Sequence, residues 1–383
     1  MKTKISFFVI NHTAVGGVER VNSRLISLFK NNGLNVYSVI SFANENERNK
    51  IINFDIALKF KSIRKNNLVK DLCNYIEKNS ITHLIFQGDN MSISKNILNA
   101  VAQTKCKAYL HYHGSPYAYL KKHLYWSDIK NKPLIIFKIL FSKIVYPFKK
   151  NKLLKNVLNA DNGFVTVSLG VQKELNFLFQ TKFKNIHTIH NPFSFDFNSD
   201  EFTLKSKEKS IVFISRLERK HKNAFLSIKA WNLLFNEFPD WQFKILGNGS
   251  LLTIMKKYVA SNKIKNVQFL GEVTNVDVHL EKSAISILTS DCEGFGMGLF
   301  ESIAYKNALV STKSDGGVID LIEDNYNGFL VPKNNHVALS KKIRKLILDS
   351  NLRNKMGNNS YQKYLEFQNE DIFSQWIELL KIK

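Results

Sequence analysis

The chain is poor in cysteine. Cys73, Cys106 and Cys292 are the three among 383 residues. An odd, scattered set builds no disulfide framework and has no zinc-ligand spacing, which points to a reducing compartment. Acidic residues are also short, 32 against 55 Lys and Arg, for a net charge of +23. No apolar stretch approaches the roughly 20 residues of a membrane span. The start, "MKTKISFFVINHTAVGG", has lysines ahead of the apolar run "ISFFVI". That run is shorter than the core of a secretion signal, and no small-residue cleavage site follows it cleanly. It reads as a first buried strand. No Asp-x-Asp pair and no His/Cys cluster offers a metal site. No GxGxxG fingerprint is present, which argues against a nicotinamide cofactor.

What is there is unevenly spread. Residues 1–190 carry 29 Lys and Arg against 10 Asp and Glu, a surplus of 19. Residues 191–383 carry 26 against 22, a surplus of 4. The asymmetry suggests a polyanionic partner for the first half, nucleic acid or an anionic membrane face. A lysine-rich compositional bias explains part of the excess, but not the balance of the second half.

Short apolar runs alternate with helical patterns throughout. "KISFFVIN" reads as a strand. The helix after it places Val18, Val21, Leu25, Leu28 and Phe29 on one face and stops at Gly33. The rhythm continues to "NIHTIHNP" and restarts at "SIVFISRL". Two βα series predict two doubly wound parallel sheets. The expected division is a domain over 1–192, a polar linker over 193–208, a second domain over 209–360, and a final helical segment over 361–383. One segment departs from the rhythm. Residues 119–156 hold ten lysines against one acid, Asp128, interleaved with Tyr119, Tyr125, Trp126, Phe137, Phe141, Tyr146 and Phe148. A basic, aromatic, amphipathic stretch fits a helix lying in a membrane interface. A helical insert packed on the core, with solvated lysines, is the plainer reading. Nothing resembles a nucleic-acid reader module.

In open α/β sheets ligands sit beyond the carboxyl ends of the strands. After the first strand, Gly16 and Gly17 directly precede a helix. Glycines there let backbone N–H groups approach a phosphate, although a plain tight turn is the commoner use. After "KAYLHYHG" stand His111 and His113, the latter beyond the last apolar residue. After "SIVFIS" come Arg216 and the cluster Arg219, Lys220 and Lys222, fixed cations that suit a diphosphate or form a solvated loop. After "AISILTS" comes "DCEGFGMGLFES". Gly294, Gly296 and Gly298 bracket a helix start near Met297, where backbone N–H groups can point at an anion. Glu293 lies in the loop. Glu301 is expected in the first turn, where helix-end electrostatics alone could explain a carboxylate.

Taken in order, "GGVERV", "HNP", "SRLERKHKN" and "EGFGMGLFESIAYKNALVSTKSDGGVIDLIEDNYNGFLV" resemble the retaining glycosyltransferases of family 4. The resemblance covers nearly the whole chain, and its most specific part is the E-x7-E region. It implies the GT-B fold, two facing Rossmann-like domains, the first binding acceptor and the second nucleotide sugar. It implies sugar transfer with retention, no metal, and no established protein nucleophile. By the resemblance, Glu293 faces the donor sugar, and the amides from Phe295 through Gly296, Met297 and Gly298 to Leu299 hold the diphosphate. Glu301 binds the ribose. Arg216 with Lys222 stabilises the leaving group, Gly17 approaches the phosphates, and His113 lies near the transferred sugar. The last helix returns to the first domain. Three departures stand out. The segment "RLERKHKN" is one residue longer than usual, so Lys220 or Lys222 fills the cationic role, and Asn223 favours Lys222. Lys306 replaces the glycine that usually ends the signature helix, which either strains Lys306 or shifts the cap to Asn307. Asp320 stands where glutamate is more usual.

The expected function is a bacterial transferase at the cytoplasmic face of the cell membrane. It would move a hexose or N-acetylhexosamine, UDP-linked, to a lipid-linked or lipopolysaccharide glycan. Its partners would be the nucleotide sugar, that acceptor and an anionic membrane surface, not nucleic acid. The alternatives are a soluble sugar-phosphate glycosyltransferase, a nucleotide-sugar epimerase, or a non-catalytic sugar-nucleotide or nucleic-acid binding protein.

Overall fold

Runs of four to seven residues rich in Ile, Val, Leu and Phe form parallel strands that are buried on both faces. The computed structural model describes residues 3–9, 17–41, 57–59, 68–121, 132–193, 207–218 and 221–382. Of these, it describes the backbone alone at 40–41, 57–59, 121 and 132–144. The chain divides into two units, Met1–Leu120 with Ile139–Ser194 and Gln368–Lys383, and Lys121–Lys138 with Phe195–Phe367.

The first unit's strands are β1 (Ile5–Val9), β2 (Val36–Ser41), β3 (Ala57–Lys59), β4 (His83–Gln87), β5 (Lys107–Tyr112), β6 (Phe164–Thr166) and β7 (Ile186–Thr188). They lie side by side as β3-β2-β1-β4-β5-β6-β7, all parallel. The order turns back on itself between β1 and β4, which is the switch point of a doubly wound sheet. Its helices are α1 (Gly17–Asn31), α2 (Leu68–Asn79), α3 (Met91–Val101), α4 (Pro116–Lys121), α5 (Lys132–Leu158) and α6 (Leu169–Phe179). Asn90 opens α3 by accepting from the amides of Ser92 and Ile93, and Ser168 opens α6 by accepting from that of Val171.

Residues 132–158, inside the basic stretch, are one helix. Leu153 and Val157 are fully buried against Leu175 and Leu178 of α6 and Leu110 of β5. The described end of this helix is therefore core-packed, although Phe148 stands exposed. Residues 122–131 and the side chains of 121–144 lie outside the described set.

The second unit repeats the plan. Its strands are β8 (Glu208–Ile214), β9 (Gln242–Leu246), β10 (Val267–Gly271), β11 (Ser283–Leu288), β12 (Cys292–Glu293), β13 (Ala308–Thr312), β14 (Asp315–Gly316) and β15 (Gly328–Val331). The main sheet runs β10-β9-β8-β11-β13-β15, again parallel, with its switch point between β8 and β11. The two-residue strands β12 and β14 pair apart from it. The helices are α7 (Phe225–Trp231), α8 (Leu252–Ser261), α9 (Val276–Lys282), α10 (Met297–Ala304), α11 (Val318–Leu321), α12 (His336–Leu348) and α13 (Ser350–Tyr364). Along β11 side chains alternate in direction. Ile285 and Ile287 enter the core with Leu339, Ile343 and Leu346 of α12, while Ser286 meets Ser302 of α10 at 2.8 Å.

The last helix, α14 (Asn369–Leu380), belongs to the first unit. Its Ile372, Trp376 and Leu380 pack with Phe7, Phe29, Ile85 and Val165 on one face of that sheet. The return begins at Gln368 rather than near 361, because α13 runs on to Tyr364. Trp376 is fully buried; truncating such a side chain to alanine costs about 3–5 kcal/mol.

Candidate active site

In the second unit the loops leaving β8 and β11 meet at the switch point. The β8 loop reaches Lys222 through two left-handed residues, His221 at φ 61° and Asn223 at φ 45°. Such non-glycine positions persist only where surrounding bonds hold them. Here Thr289 Oγ1 donates to the carbonyls of Lys222 at 3.2 Å and Asn223 at 3.1 Å. The amide of Asp291 donates to His221 O at 2.6 Å. Asn223 Nδ2 donates to Asn334 Oδ1 at 2.8 Å. Thr289 and Asp291 therefore fasten one loop to the other, and the lysine is carried to the glutamate.

Lys222 Nζ donates to both oxygens of Glu293, at 2.7 and 2.8 Å. Ser290 Oγ donates to Glu293 Oε1 at 2.5 Å, and Ser290 O in turn accepts from Thr312 Oγ1 at 2.5 Å. Glu293 is 7% exposed, so its charge depends on these partners. Its backbone is fixed as well. Glu293 pairs with Gly316 in the β12–β14 ladder, and its carbonyl accepts from Gly317 N at 3.1 Å. Beside it Lys333 Nζ pairs with Asp315 Oδ1 at 2.6 Å.

The glycine run follows. Gly296 caps α10 in a left-handed conformation, φ 99° and ψ 56°. Gly298 lies so close to β8 that a Cβ there would sit 2.8 Å from Ile214 O. The first turn of α10 is thus pressed against the end of the strand that leads to Arg216. Phe295 and Leu299 are buried beneath the turn, and Gly294 and Met297 line its entry. Glu301 is the fifth residue of α10 and 0% exposed. It does not stand in the first turn, so helix-end electrostatics, which fades within that turn, does not account for it. Arg216 is different again. Its side chain is 66% exposed and lies 3.5 Å from Glu218, a surface pair of little worth. Lys220, the alternative to Lys222, lies outside the described residues, as does Gly16; Gly17 opens α1.

Lys306 itself takes the left-handed turn after α10, at φ 55°, and Asn307 does not. Asn307 is buried and donates to Ser283 O at 3.0 Å. Lys207 closes this end of the unit. Its ammonium donates to the carbonyls of Leu280 at 3.1 Å, Glu281 at 2.7 Å and Tyr305 at 2.6 Å. A cation suits two helix C-termini.

In the first unit an amide and two imidazoles meet at the corresponding switch point. Gln87 ends β4, and His111 and His113 lie at the end of β5. Gln87 Oε1 accepts from His111 Nδ1 at 2.8 Å and from His113 Nε2 at 2.6 Å. The two rings lie 4.3 Å apart, and His111 meets the edge of Trp376 at 5.2 Å. Burial, and then His113 beside it, hold the His111 ring well below the usual histidine range. Burial pushes His113 down to about 3. Both imidazoles are therefore neutral near pH 7. His113 can exchange hydrogen bonds with a ligand but brings it no fixed charge.

Sequence reasoning missed Thr289, Ser290 and Gln87. Each is a short polar residue at a strand's carboxyl end, so the strand-end rule that found Arg216 and Glu293 could have found them too. Among the described residues no group of three or more His, Cys, Asp or Glu could hold a metal.

The family model "Glycosyl transferases group 1" matches residues 194–363. That match falls almost wholly within the second unit. A Campylobacter jejuni protein is 34% identical over 201 residues, 51% of this chain and 55% of that protein. It is named GalNAc-alpha-(1->4)-GalNAc-alpha-(1->3)-diNAcBac-PP-undecaprenol alpha-1,4-N-acetyl-D-galactosaminyltransferase. This chain therefore spans about half the length of that relative. An uncharacterized glycosyltransferase of Haemophilus influenzae is 26% identical over 385 residues, 98% of this chain and 99% of that one. Among solved structures, TarM of S. aureus superposes with a TM-score of 0.74 at 16% identity, covering 99% of both chains. The fold is GT-B.

Proposed function

We propose that the protein is a retaining glycosyltransferase acting on a nucleoside-diphosphate sugar. The observation that carries this is the Lys222–Glu293 pair beside the α10 amides, at the switch point of the second unit. A diphosphate wants cations and free N–H groups, and the sugar and ribose hydroxyls beside it want carboxylates. Glu293 would hold donor-sugar hydroxyls, the amides from Gly294 to Leu299 the diphosphate, and Glu301 the ribose. Lys222 and Arg216 would stabilise the leaving diphosphate as the glycosidic bond to it breaks. His113 and Gly17 would serve from the first unit. Positive charge from these side chains, rather than a metal ion, would offset the phosphates.

The donor is proposed to be a UDP-linked hexose or N-acetylhexosamine. The acceptor is proposed to be a lipid-linked or lipopolysaccharide glycan in bacterial surface-polysaccharide synthesis. The protein would work at the inner face of the cell membrane. The name of the Campylobacter relative specifies an undecaprenol-diphosphate-linked glycan, and other relatives are named for polymer glycosylation in Bacillus subtilis and Staphylococcus aureus. The surplus of 19 positive charges in the first 190 residues suits an anionic surface or acceptor. No described helix is long and apolar enough to cross a membrane, so attachment would be peripheral. A screen of nucleotide sugars for slow hydrolysis and for transfer to lipid-linked glycans, with and without EDTA, tests the reading. Turnover of a UDP-sugar that survives EDTA is expected. No turnover of any nucleotide sugar would sink it. Flotation with anionic vesicles tests the membrane part.

A further inference from the structure

We infer that Gln87 is a positioning residue that fixes the tautomer and the setting of His113. The inference rests on the transferase reading for its functional consequence, though not for its geometry. Three features of the first unit converge. Gln87 is 1% exposed and ends β4, on one side of the switch point. A single atom, Oε1, accepts from both rings, at 2.8 Å from His111 Nδ1 and 2.6 Å from His113 Nε2. The His111 ring is in turn held from behind by Trp376, so the pair cannot swing away as a unit.

An amide oxygen has two lone pairs and can satisfy two N–H donors at once. It cannot donate. With Oε1 facing the rings, each brings a proton to it, His111 on Nδ1 and His113 on Nε2; the amide turned end for end would reverse both tautomers, and that is the outcome that overturns the inference. A neutral imidazole carries one N–H. The His113 proton is committed to Gln87, so its Nδ1 is left as a lone-pair acceptor. The ligand group this atom recognises is a hydroxyl that donates, which is the chemistry of a sugar ring rather than of a phosphate. Gln87 thereby selects what His113 can bind, without touching the ligand itself. Among the described residues, titratable groups near this corner include Asp89 and Tyr112, whose Cβ and hydroxyl both lie 3.1 Å from where a Cβ on Gly114 would stand, and Glu174, which accepts from Ser115 Oγ at 3.0 Å.

The test is nuclear magnetic resonance of the full chain with 15N-labelled histidine, the His113 signals being assigned by their loss in His113→Asn. His113 is expected in the Nε2–H form. In Gln87→Glu the carboxylate favours the imidazolium, so the His113 ring should gain a titration within about pH 5 to 8. In Gln87→Met the ring should become a mixture of tautomers. An Nδ1–H form in the native chain, or an unchanged His113 spectrum in both variants, overturns the inference. The native tautomer alone decides the matter should a variant fail to fold. On activity, Gln87→Met is expected to lower kcat/KM for the donor by about tenfold, the scale of one hydrogen bond, with acceptor KM unchanged. If the native chain turns over no nucleotide sugar, the transferase reading fails while the spectra still judge Gln87.

Discussion

At the switch point of the first unit a neutral amide holds two uncharged imidazoles. At the switch point of the second an ammonium and a hydroxyl hold a carboxylate. The second sheet's six strands follow the order of the first six of the first sheet's seven, so topology does not choose the chemistry. The choice lies in a few residues after each strand. Neutral groups suit hydroxyls, which need direction more than charge. Charged groups and helix amides suit a diphosphate. Under the proposed function, the first unit discriminates and the second activates. Substitutions in the two sites should then differ in kind as well as in size.

The largest effect belongs to the second unit. Lys222→Ala strands Glu293, which is nearly buried, and under the proposed function also removes a cation from the leaving group. Turnover should fall by about 10²–10³, the usual scale for one electrostatic contact to developing charge. Arg216→Ala and Glu301→Ala should each cost orders of magnitude too. Steady-state rates with the preferred donor check this. Near-normal rates for Lys222→Ala would erase the contrast between the units.

Next comes the packing that aims the α10 amides. Gly298→Ala would thrust a Cβ to within 2.8 Å of the Ile214 carbonyl. Backbone cannot yield as a flexible side chain can, so about 1–3 kcal/mol of stability should be lost. Donor KM should rise as the helix start moves off β8. Urea unfolding and donor titration measure the two consequences separately.

Acid should act the other way round, on the first unit. Its His83, His111, His113 and His187 are all held below the ordinary value of 6.5 chiefly by burial, against His279 in the second. For His113 the folded value is about 3. Between these values the unfolded chain binds more protons, so stability rises with pH. It is complete above 6.5 and drains away as pH falls toward 3. At pH 5 the share of His113, whose ring is only part-buried, is at most about 2 kcal/mol. Limited proteolysis at pH 5 should cut the first unit before the second, and His113→Asn should flatten the dependence.

The two-sheet plan was legible because parallel strands buried on both faces read as short apolar runs, and "SFFVI" or "AISIL" can be little else. Glu293, Lys222 and the glycines were legible as strand-end residues. The loop that carries Lys222 to Glu293 was not. It depends on Thr289 and Asp291 binding its backbone, contacts between positions more than sixty residues apart that no local pattern encodes. Glu301 falls just past the first turn of α10, because a glycine run marks where a helix starts but not which residues its first turn holds. The Gln87 bridge escaped for a similar reason, since neighbouring strands bring 87 beside 111 only once their register is known.

The smallest effect asks whether a shared backbone detail has anything to do with either site. Each unit ends a helix on a left-handed residue that is not glycine, Gln180 after α6 at φ 52° and Lys306 after α10 at φ 55°. A side chain there costs roughly 1–2 kcal/mol, because Cβ crowds the following carbonyl. Lys306 recovers part of this by setting its ammonium 4.9 Å over the Tyr361 ring, a contact worth about 0.5–1 kcal/mol. Lys306→Ala keeps the crowding and loses the contact. Lys306→Gly loses the contact and relieves the crowding, against a glycine's greater freedom when unfolded. Glycine should therefore be more stable than alanine at 306 by about 1 kcal/mol, the reverse of their order inside a helix. Thermal unfolding of both pairs, at 306 and at 180, checks the sign. The same order at both positions would make the turn a property of the backbone alone. The reversed order at 306 only would mean that the crowding belongs to the end of the signature helix and not to left-handed helix ends in general.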